Sequence, residues 1–594
     1  MIVVVFALLL SFLGFSGTAS GQPASVAGGT GDGPPIDLTC VGTSAPAVVH
    51  VRAGVPSDLG GLSPLDTRYE WDFGDPGSRY NHLPGWNAAH VYDKPGTYTI
   101  TLTVRLAGGK ELTRSTWVRI APDARKKIHV SADGNDRFDG ATAGRPVRSV
   151  ARAFQLADTG DAWILFRKGD TFEVPTTVTI NGQGLRIGNY AGPRGGQSLF
   201  KDGGAAQSPA GAAQPAAGRP RDALPVLKKV AGPKKDESIF MVWRTCGDLL
   251  VEGVEFDSAW DLKSEFGANK IPARAFTVGG KNIAFRWCSF RNLTDAINTE
   301  LKPVGVLVSE CNFTDEIRGY CVYANGSDHA YIGNVMRHSR TEHLIRASEP
   351  GATYLLVAYN DLRRRGQGKG SIEFRHASWF YVAGNYFNSG TLRVGPQEQD
   401  KATTPDWAKI RCEWGVIQDN RLDDLFLNVR LGTYHLVFRN NIIRMRDEEW
   451  GLVIACEQPG YDDVRKAGDI RIAHNTVINE GTRGMFLFVH GQPQGLTVRQ
   501  NVYIAPNVKA GASNAGIYAT RDLEGFEAIE GNVFPAGPGG LHRIQGKPTD
   551  RNTWLKLPKV KVERYGPATV DADDNVPLAL NAGARVGNDK RDRK

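Results

Sequence analysis

Three arginines occur in short apolar segments of one part of the sequence, where a repeating strand would place them one above another. Arg346, Arg375 and Arg393 each lie near the end of such a segment. If the segments stack as parallel strands, the guanidinium groups lie about 5 Å apart on one face. Like charges held so closely repel one another, which favours an anionic ligand between them. The alternative is an ion network with acidic neighbours, for which the candidates are Glu342, Glu349, Glu373 and Glu398.

A repeated hexad marks these segments as coils of a solenoid. It consists of an apolar residue, two variable residues, asparagine, one variable residue and a second apolar residue. Its asparagines are Asn360, Asn385, Asn420, Asn441, Asn475, Asn501 and Asn532. Intervals of 21–35 residues between them suit single coils, the longer ones with inserted loops. Asparagine tolerates the left-handed backbone of a tight bend, and stacked amides bond to one another.

Earlier copies of the hexad are degenerate and extend the repeat toward the N-terminus. They lie at residues 251–256, 285–290, 308–313 and 332–336, with Cys288 and Cys311 replacing the asparagine in two of them. β-branched residues are common and no Leu-x-x-Leu-x-Leu frame recurs, which argues against a leucine-rich repeat. The sequence therefore predicts an all-β fold whose main body is a right-handed parallel β-helix, a single-stranded solenoid.

A second all-β region precedes the repeat, over residues 36–121. A Trp-Asp-Phe-Gly-Asp box at residues 71–75 is followed by a His-x-Tyr-x-x-Pro-Gly-x-Tyr box at residues 90–98, which opens an alternating strand. The two boxes resemble those of the PKD domain, an immunoglobulin-like β-sandwich. The resemblance implies that Asp72 and Asp75 shape a turn and that the domain is a spacer or a weak binder.

The remaining segments concern export and linkage. An apolar run at residues 2–15, followed by small residues, is typical of a signal peptide, with a retained N-terminal anchor as the alternative. No later segment is apolar enough to cross a bilayer, so we expect a secreted monomer outside the cell, in the periplasm or at the cell surface. The predicted division is a signal peptide at 1–20, a linker at 21–35, the sandwich at 36–121, the β-helix at 126–584 with a flexible insertion at 202–222, and a basic disordered tail at 585–594.

Composition narrows the class of partner. The net charge is +8, and a basic balance in an exported protein favours acidic polymers over nucleic acid. The seven cysteines show no CxxC or metal-like spacing, so we expect buried thiols and no zinc site. Cys288 and Cys311 occupy the same position of successive coils, which leaves stacked thiols and a disulfide both open.

One stretch of the repeat resembles a known family. Residues 369–376, Lys-Gly-Ser-Ile-Glu-Phe-Arg-His, lead into an asparagine bend. They are similar to a strand of the chondroitinase-B and alginate-lyase type β-helix enzymes, polysaccharide lyases with the pectin-lyase-like fold. The resemblance implies that Arg375 is the catalytic arginine and that Glu342 corresponds to a calcium ligand. Arg346 stands near the place of the family's catalytic lysine, and the family's Asn-Lys-Ser sequence is absent, so Lys369 would substitute from the adjoining loop.

The reaction implied by this resemblance is β-elimination from a uronic acid unit of an acidic polysaccharide. Calcium or arginine neutralises the C6 carboxylate and acidifies the C5 proton, a base removes it, and a tyrosine or arginine assists the leaving oxygen. Arginine stays protonated, so Lys369, His343 and His376 are the candidate bases, although a buried structural role for His376 is equally open. The three arginines would bind carboxylates. The remaining substrate-binding candidates are Glu373, Gln397, Arg430 and Trp379.

Two other classes of function would use the same scaffold. A glycosidase needs two carboxylates at a defined separation, and the acidic pairs at residues 423–424 and 462–463 lie at a coil corner and in an inserted loop. The ordered motifs of the polygalacturonases are absent. A non-catalytic adhesin or matrix protein would use the arginines for passive glycan binding. In each case aromatic side chains would stack on sugar rings, the candidates being Trp379, Tyr386, Trp407 and Trp414.

Overall fold

The computed structural model describes most of the chain from Thr30 onward. The described residues are 30–54, 63–158, 160–191, 224–230, 237–258, 273–337, 339–363, 369–396, 410–446, 450–456, 467–511, 514–571, 575–577 and 582–584. The predicted signal peptide, the first part of the predicted linker, the insertion at 202–222 and the tail at 585–594 lie outside them.

Eight strands form the N-terminal domain: β1 (Thr30–Gly31), β2 (Ile36–Val41), β3 (Ala47–Ala53), β4 (Arg68–Asp72), β5 (His82–Pro84), β6 (Asn87–Tyr92), β7 (Gly96–Arg105) and β8 (Glu111–Ile120). They make two antiparallel sheets, β1-β8-β7-β4-β5 and β2-β3-β6, as predicted for a PKD-type sandwich. The Gly74 N–H donates to Asp72 Oδ1 (2.8 Å), and Asp75 Oδ2 lies 3.0 Å from His90 Nε2, so both carboxylates shape the turn. Thr30 and Gly31, predicted as linker, instead pair with β8.

Strands are the main elements of the rest of the described chain. They are β9 (Lys126–Val130), β10 (Ala162–Arg167), β11 (Thr171–Val174), β12 (Val178–Ile180), β13 (Arg186–Tyr190), β14 (Val226–Lys229), β15 (Ser238–Val242), β16 (Gly247–Glu252), β17 (Glu255–Asp257), β18 (Arg274–Val278), β19 (Lys281–Arg286), β20 (Ser289–Leu293), β21 (Ile297–Asn298), β22 (Val304–Ser309), β23 (Asn312–Ile317), β24 (Val322–Tyr323), β25 (Ser327–Ile332), β26 (Val335–Arg337), β27 (Ile345–Ala347), β28 (Ala352–Ala358), β29 (Asp361–Arg363), β30 (Ile372–Phe374), β31 (Ala377–Ala383), β32 (Tyr386–Val394), β33 (Cys412–Gln418), β34 (Arg421–Val429), β35 (Thr433–Arg439), β36 (Ile442–Met445), β37 (Trp450–Ala455), β38 (Gly468–Ala473), β39 (Thr476–Asn479), β40 (Met485–His490), β41 (Gln494–Arg499), β42 (Val502–Ile504), β43 (Ala515–Ala519), β44 (Phe526–Glu530), β45 (Val533–Phe534), β46 (His542–Ile544), β47 (Lys547–Thr549), β48 (Val560–Lys561) and β49 (Arg564–Tyr565). The helices are α1 (Val150–Ala157) and the single turn α2 (Arg551–Trp554).

These strands wind into a right-handed parallel β-helix, as predicted. Sheet A contains β9-β10-β13-β16-β19-β22-β25-β28-β31-β33-β35-β38-β41-β44-β48. The other strands form one bent sheet with two columns. We call the column β11-β14-β17-β20-β23-β26-β29-β32-β34-β36-β39-β42-β45-β49 sheet B, and the column β12-β15-β18-β21-β24-β27-β30-β32-β34-β37-β40-β43-β46 sheet C; the long strands β32 and β34 belong to both.

The solenoid interior is one continuous apolar cluster that runs from Ile128 to Val560. Helix α1 closes its N-terminal end and buries Val150 and Ala153 against the first coil. All seven cysteines are free and buried, so Cys288 and Cys311 are thiols rather than a disulfide. Within the described ranges, no helix has both the length and the apolar character that crossing a membrane requires.

A ladder of asparagine amides follows the bend between sheets A and B. From Asn334 onward, each Nδ2 donates to the Oδ1 of the asparagine one coil later, at 2.9–3.0 Å. The Cys311 N–H donates to Asn334 Oδ1 (2.9 Å), and Asn532 Nδ2 donates to Glu563 Oε1 (2.9 Å), where the ladder ends. The predicted bonding between amides of stacked bends is thus confirmed.

The left-handed residue of these bends is the one before the asparagine. Tyr359, Asp419 and Gln500 have φ angles of 59°, 57° and 53°, and Gly384 holds the same place with φ 66°. The prediction that asparagine itself adopts this backbone is wrong. The asparagine side chain is committed to the amide ladder inside the coil, so its predecessor makes the turn.

The sandwich packs on the outer face of sheet A. Eleven buried outward side chains of sheet A share an apolar cluster with the sandwich residues Leu83 and Trp86: Leu250, Ala284, Leu307, Ala330, Ile332, Leu356, Ala358, Tyr381, Ala383, Val416 and Val437. Asn87 Nδ2 donates to the His329 carbonyl (2.9 Å), and Arg439 donates to the carbonyls of Leu65 (2.9 Å) and Thr67 (2.7 Å). The domain is therefore an integral cover of sheet A, and not the spacer that the resemblance implied.

Candidate functional site

Sheet C aligns a row of polar side chains on consecutive coils. Arg346, Glu373 and Arg393 are direct register partners on β27, β30 and β32. Arg375 lies two residues beyond Glu373, after the end of β30. The predicted stack of three arginines is therefore wrong, because a carboxylate occupies its middle position. The row also continues at both ends, to Tyr323 on β24 and Asn428 on β34.

Glu373 is the centre of the site. Its side chain is completely buried. Oε2 accepts a hydrogen bond from Arg375 Nε (3.0 Å) and lies 3.0 Å from His343 Nε2, while Oε1 accepts from Arg430 Nη1 (3.3 Å). Burial acts to raise the pKa of Glu373, but His343, Arg375 and Arg430 outweigh it and hold the pKa well below its usual range. Glu373 therefore stays ionised and orients the cations around it.

The positive charge around Glu373 exceeds what this carboxylate balances. Arg346, Arg375 and Arg430 have exposed side-chain fractions of only 15%, 7% and 19%. Burial lowers the pKa of Arg430 to about 10, an effect that Glu373 opposes and that Arg393 and Arg375 reinforce. Burial likewise lowers the pKa of Arg393. Among the described residues the buried Nε of Arg393 has no hydrogen-bond partner, while the residue as a whole is partly exposed.

A second carboxylate lies at the edge of the cluster. Glu342 Oε2 lies 3.4 Å from Lys369 Nζ and 3.9 Å from Arg346 Nη1. The Tyr320 hydroxyl accepts a hydrogen bond from Arg346, whose guanidinium also lies 5.3 Å from the Tyr320 ring and 6.0 Å from the Tyr323 ring. The sequence interpretation missed both tyrosines. The coil register, which pairs Tyr323 with Arg346 on the next coil, is needed to place these tyrosines beside the arginine.

The surroundings of Glu342 do not fit the calcium site that the resemblance implied. A calcium ion needs six to eight oxygen ligands, whereas two cationic side chains, Lys369 and Arg346, approach this carboxylate. The described part of the chain contains no group of three or more histidine, cysteine, aspartate or glutamate side chains able to hold a metal ion. The positive charges next to this carboxylate are those of Lys369 and Arg346.

The two candidate histidine bases are buried. His343 is 1% exposed; its Nδ1 lies 3.0 Å from the Gly370 carbonyl and its Nε2 faces Glu373. Burial lowers the pKa of His343, against the opposing effect of Glu373. Both ring nitrogens are engaged, which suits a residue that positions Glu373. His376 is 4% exposed, in agreement with the structural alternative. Lys369, with 39% of its side chain exposed, is the accessible candidate.

Trp379 lies away from the arginines. It projects from sheet A toward the sandwich, with its ring centroid 5.0 Å from that of Trp86 and 5.0 Å from that of Trp414. The prediction that Trp379 binds substrate beside the arginines is therefore wrong. Alternation along a strand shows which side chains point out of the solenoid, but it does not show whether the strand belongs to sheet A, B or C. Tyr386 lies on sheet B under the Arg363 guanidinium (4.8 Å). Gln397 and Trp407 fall outside the described residues.

Asp423 and Asp424, the acidic pair considered for hydrolysis, both form ion pairs with arginines. Asp423 Oδ1 lies 3.5 Å from Arg421 Nε, and Asp423 Oδ2 accepts a hydrogen bond from the Tyr386 hydroxyl (3.1 Å). Asp424 pairs with Arg446 (3.1 Å). These contacts do not present two carboxylates across a cleft. The second pair, at 462–463, lies outside the described residues.

Comparison with known proteins identifies the N-terminal domain. The family model of the PKD domain matches residues 45–120. No curated protein matches the chain. Among solved structures, the chain is similar to the PL6 family alginate lyase AlyGC, with 13% identity, a TM-score of 0.42 and coverage of 77% of this chain and 56% of the lyase. The chain thus spans little more than half the length of that protein.

Two further solved structures carry other activities in their names. The GH136 lacto-N-biosidase from Eubacterium ramulus is 13% identical, with a TM-score of 0.33 and coverage of 74% of this chain and 68% of that one. The tailspike protein of E. coli bacteriophage HK620, in complex with a pentasaccharide, is 11% identical, with a TM-score of 0.34 and coverage of 78% and 81%.

Proposed function

We propose that the protein is an exported, carbohydrate-active β-helix protein that binds an acidic polysaccharide at the arginine cluster around Glu373 and cleaves it by β-elimination. One observation carries the proposal. Among the described residues, five cationic side chains, four of them arginines, lie close to two carboxylates on sheet C and at its edge. Partly buried guanidinium groups gathered in this number favour a multivalent anion.

The arginines would neutralise the uronate carboxylate without a metal ion. Arg393 is the partly exposed register partner of Glu373, and Glu373 holds Arg375 and Arg430 in place. Guanidinium groups bind carboxylates through paired N–H donors. Charge neutralisation at C6 acidifies the proton at C5 and stabilises the developing enolate, which is the main electrostatic demand of the reaction.

The proton transfers fall to Lys369 and Tyr320. Lys369 takes the C5 proton, the C4–O bond breaks as the C4–C5 double bond forms, and the Tyr320 hydroxyl protonates the departing oxygen. Arg346 donates to the Tyr320 oxygen and the Tyr320 hydroxyl also bonds Glu342, so the leaving oxygen must replace Glu342 as the acceptor of the phenolic proton. Burial raises the pKa of Tyr320, against the opposing effect of Arg346, so the hydroxyl holds its proton until the oxyanion forms.

The test is to incubate the purified protein with alginate, chondroitin sulfate and pectate and to follow ultraviolet absorbance from unsaturated ends. We expect absorbance with one of them, and its loss in Arg375→Ala. The matched control is Arg363→Ala, an arginine of sheet B paired with Asp361, which should retain activity. Reducing ends without absorbance would indicate a hydrolase instead.

A second candidate function is passive binding of the same polysaccharide. The observation that favours it is the contact of Lys369 Nζ with Glu342 Oε2 (3.4 Å), which directs the lysine at a carboxylate of the protein rather than at a substrate proton. Affinity electrophoresis in gels that contain each polysaccharide separates the two functions. Retardation without any product, abolished by Arg393→Ala, would establish a binding protein.

A further inference from the structure

Sheet C carries a row of aromatic side chains on the coils that follow the arginine cluster. Phe426, Trp450, Phe488 and Tyr518 project from β34, β37, β40 and β43, and all are partly exposed. Neighbouring ring centroids lie 5.7, 6.4 and 5.3 Å apart, so the four rings form one continuous surface. We call these four residues the aromatic row. The mechanism proposed above does not use them.

Phe488 and Tyr518 of the aromatic row lie on the register line of Arg393, whereas Phe426 and Trp450 lie beside that line, two and three residues before Asn428 and Val453. Arg393 is the register partner of Asn428, and Asn428 that of Val453. Val453 in turn pairs with Phe488, and Phe488 with Tyr518. At about 4.8 Å per coil, the four coils that carry the row cover roughly 14 Å along the solenoid axis. A ligand held at Arg393 that extends along the axis would therefore meet these rings next.

The ring arrangement differs from that of the aromatic stack on sheet A. There, Trp379 and Trp414 lie 5.0 Å apart at 6°, and Trp414 and His435 lie 4.2 Å apart at 15°, so neighbouring faces cover one another. Trp450 and Phe488 are near-parallel but 6.4 Å apart, and Phe426 meets Trp450 edge-on. Their faces are therefore less covered by neighbouring rings and retain apolar surface for a ligand.

A cationic side chain also stands at the far end of the aromatic row. Arg543 on β46 is the register partner of Tyr518, and its guanidinium lies 5.6 Å from the Tyr518 ring centroid. Two of its nitrogens donate to the Gly546 carbonyl, which fixes the side chain over the ring. The row is thus bracketed by Arg393 on one side and Arg543 on the other, a pattern that matches a polymer with repeated acidic units.

We propose that the aromatic row binds successive sugar rings of the polysaccharide whose uronate unit occupies the arginine cluster. The chain then runs along the solenoid axis toward the C-terminal coils, with pyranose C–H faces on Trp450 and Phe488 and a further carboxylate at Arg543. This inference rests on the proposed function. It specifies the ligand as a long polymer of repeated acidic units that lies along one face.

The experiment compares oligomers of different length. Calorimetric titration uses the dimer and the octamer prepared from whichever of alginate, pectate or chondroitin sulfate retards the wild-type protein in a gel. We expect the wild-type protein to bind the octamer more tightly than the dimer. Trp450→Ala and Phe488→Ala should each weaken octamer binding by roughly 3- to 10-fold and leave dimer binding unchanged. The control is Trp243→Ala, because Trp243 is a 46%-exposed tryptophan of an early coil.

The outcomes separate the two proposals. If the wild-type protein binds no polysaccharide and no oligomer, the proposed function and this inference both fail. If dimer and octamer bind equally and the two aromatic variants bind as wild type, the arginine cluster stands and the aromatic row is rejected. Light scattering adds a third outcome. If the wild-type protein is a dimer that Phe488→Ala converts to a monomer, the row contacts a second copy of the chain and the inference is overturned.

Discussion

Sheets B and C both carry arginines on successive coils, yet they balance the charge differently. On sheet B, Asp361 is completely buried, with Arg337 Nη2 at 2.8 Å from one oxygen and Arg363 Nε at 2.6 Å from the other. Further along, Arg446 lies 3.1 Å from Asp424 and 3.3 Å from Glu480. Five arginines of this face meet four carboxylates, the remaining pairs being Arg421–Asp423 and Arg444–Glu480. Sheet B is a nearly neutral ion network.

Sheet C places a similar number of cations around half as many carboxylates. Glu373 alone is approached by His343, Arg346, Arg375 and Arg430. The arginines that pair with Asp361 are 38% exposed, so water solvates them, whereas Arg375 is 7% exposed. The difference shows that an arginine on each coil does not by itself indicate a ligand. The count of carboxylates and the depth of the guanidinium groups distinguish a structural network from a binding surface.

The largest expected effect comes from Glu373→Ala on sheet C, and Asp361→Ala on sheet B is the comparison. Glu373→Ala should lower the free energy of unfolding by about 3–5 kcal/mol, because buried guanidinium groups lose their counter-charge. Asp361→Ala should cost only about 1 kcal/mol, because Arg337 and Arg363 turn to solvent. Chemical denaturation measures both. Equal losses would mean that the two faces do not differ in their need for an anion.

A third carboxylate, partly buried and with no arginine partner among the described residues, sharpens the comparison. Within the described ranges Glu563 accepts hydrogen bonds only from the N–H (3.3 Å) and Nδ2 (2.9 Å) of Asn532, and burial raises its pKa to about 7. Because the folded protein holds this proton more tightly than the unfolded chain, stability should fall as the pH rises from about 4.5 to about 7. Glu373 has the opposite sign: its lowered pKa keeps its contribution intact until strong acid.

Glu563→Gln tests this assignment. The amide keeps an acceptor for Asn532 and removes the charge, so the variant should exceed the wild type by roughly 2–3 kcal/mol at about pH 8 and match it at about pH 4. Thermal unfolding across the pH range measures the difference. A constant offset between the two proteins at every pH would contradict a raised pKa at Glu563.

A smaller effect is expected on affinity. Arg393→Ala should weaken polysaccharide binding by about tenfold, or roughly 1.4 kcal/mol, and reduce its dependence on salt concentration. Arg363→Ala on sheet B should leave both unchanged, since Asp361 already engages that guanidinium. Titrations at two salt concentrations measure the contrast. Similar losses in both variants would point to a diffuse attraction by the net charge rather than to a site.

Local sequence patterns predicted the coils of the β-helix and the N-terminal sandwich. The hexad marks the bend of each coil, and the two PKD boxes mark a turn of the sandwich and the strand that follows it. They misplaced Trp379, because strand alternation does not say which of three faces a residue occupies. They also put Arg375 where Glu373 lies, because the insertions between coils differ in length and the register cannot be counted from the asparagines alone. Tyr320 was missed for a related reason: its contact with Arg346 joins two coils.

The cover that the sandwich forms over sheet A has a consequence for biosynthesis. The sandwich is complete when Ile120 leaves the ribosome, whereas its apolar contacts on sheet A extend to Val437, roughly three hundred residues later. Until those coils wind, Leu83 and Trp86 have no apolar partner surface on the solenoid. The sandwich is therefore buried only in molecules whose central coils have reached their native winding. A protease that cleaves within the sandwich would selectively degrade the molecules whose central coils have not yet wound.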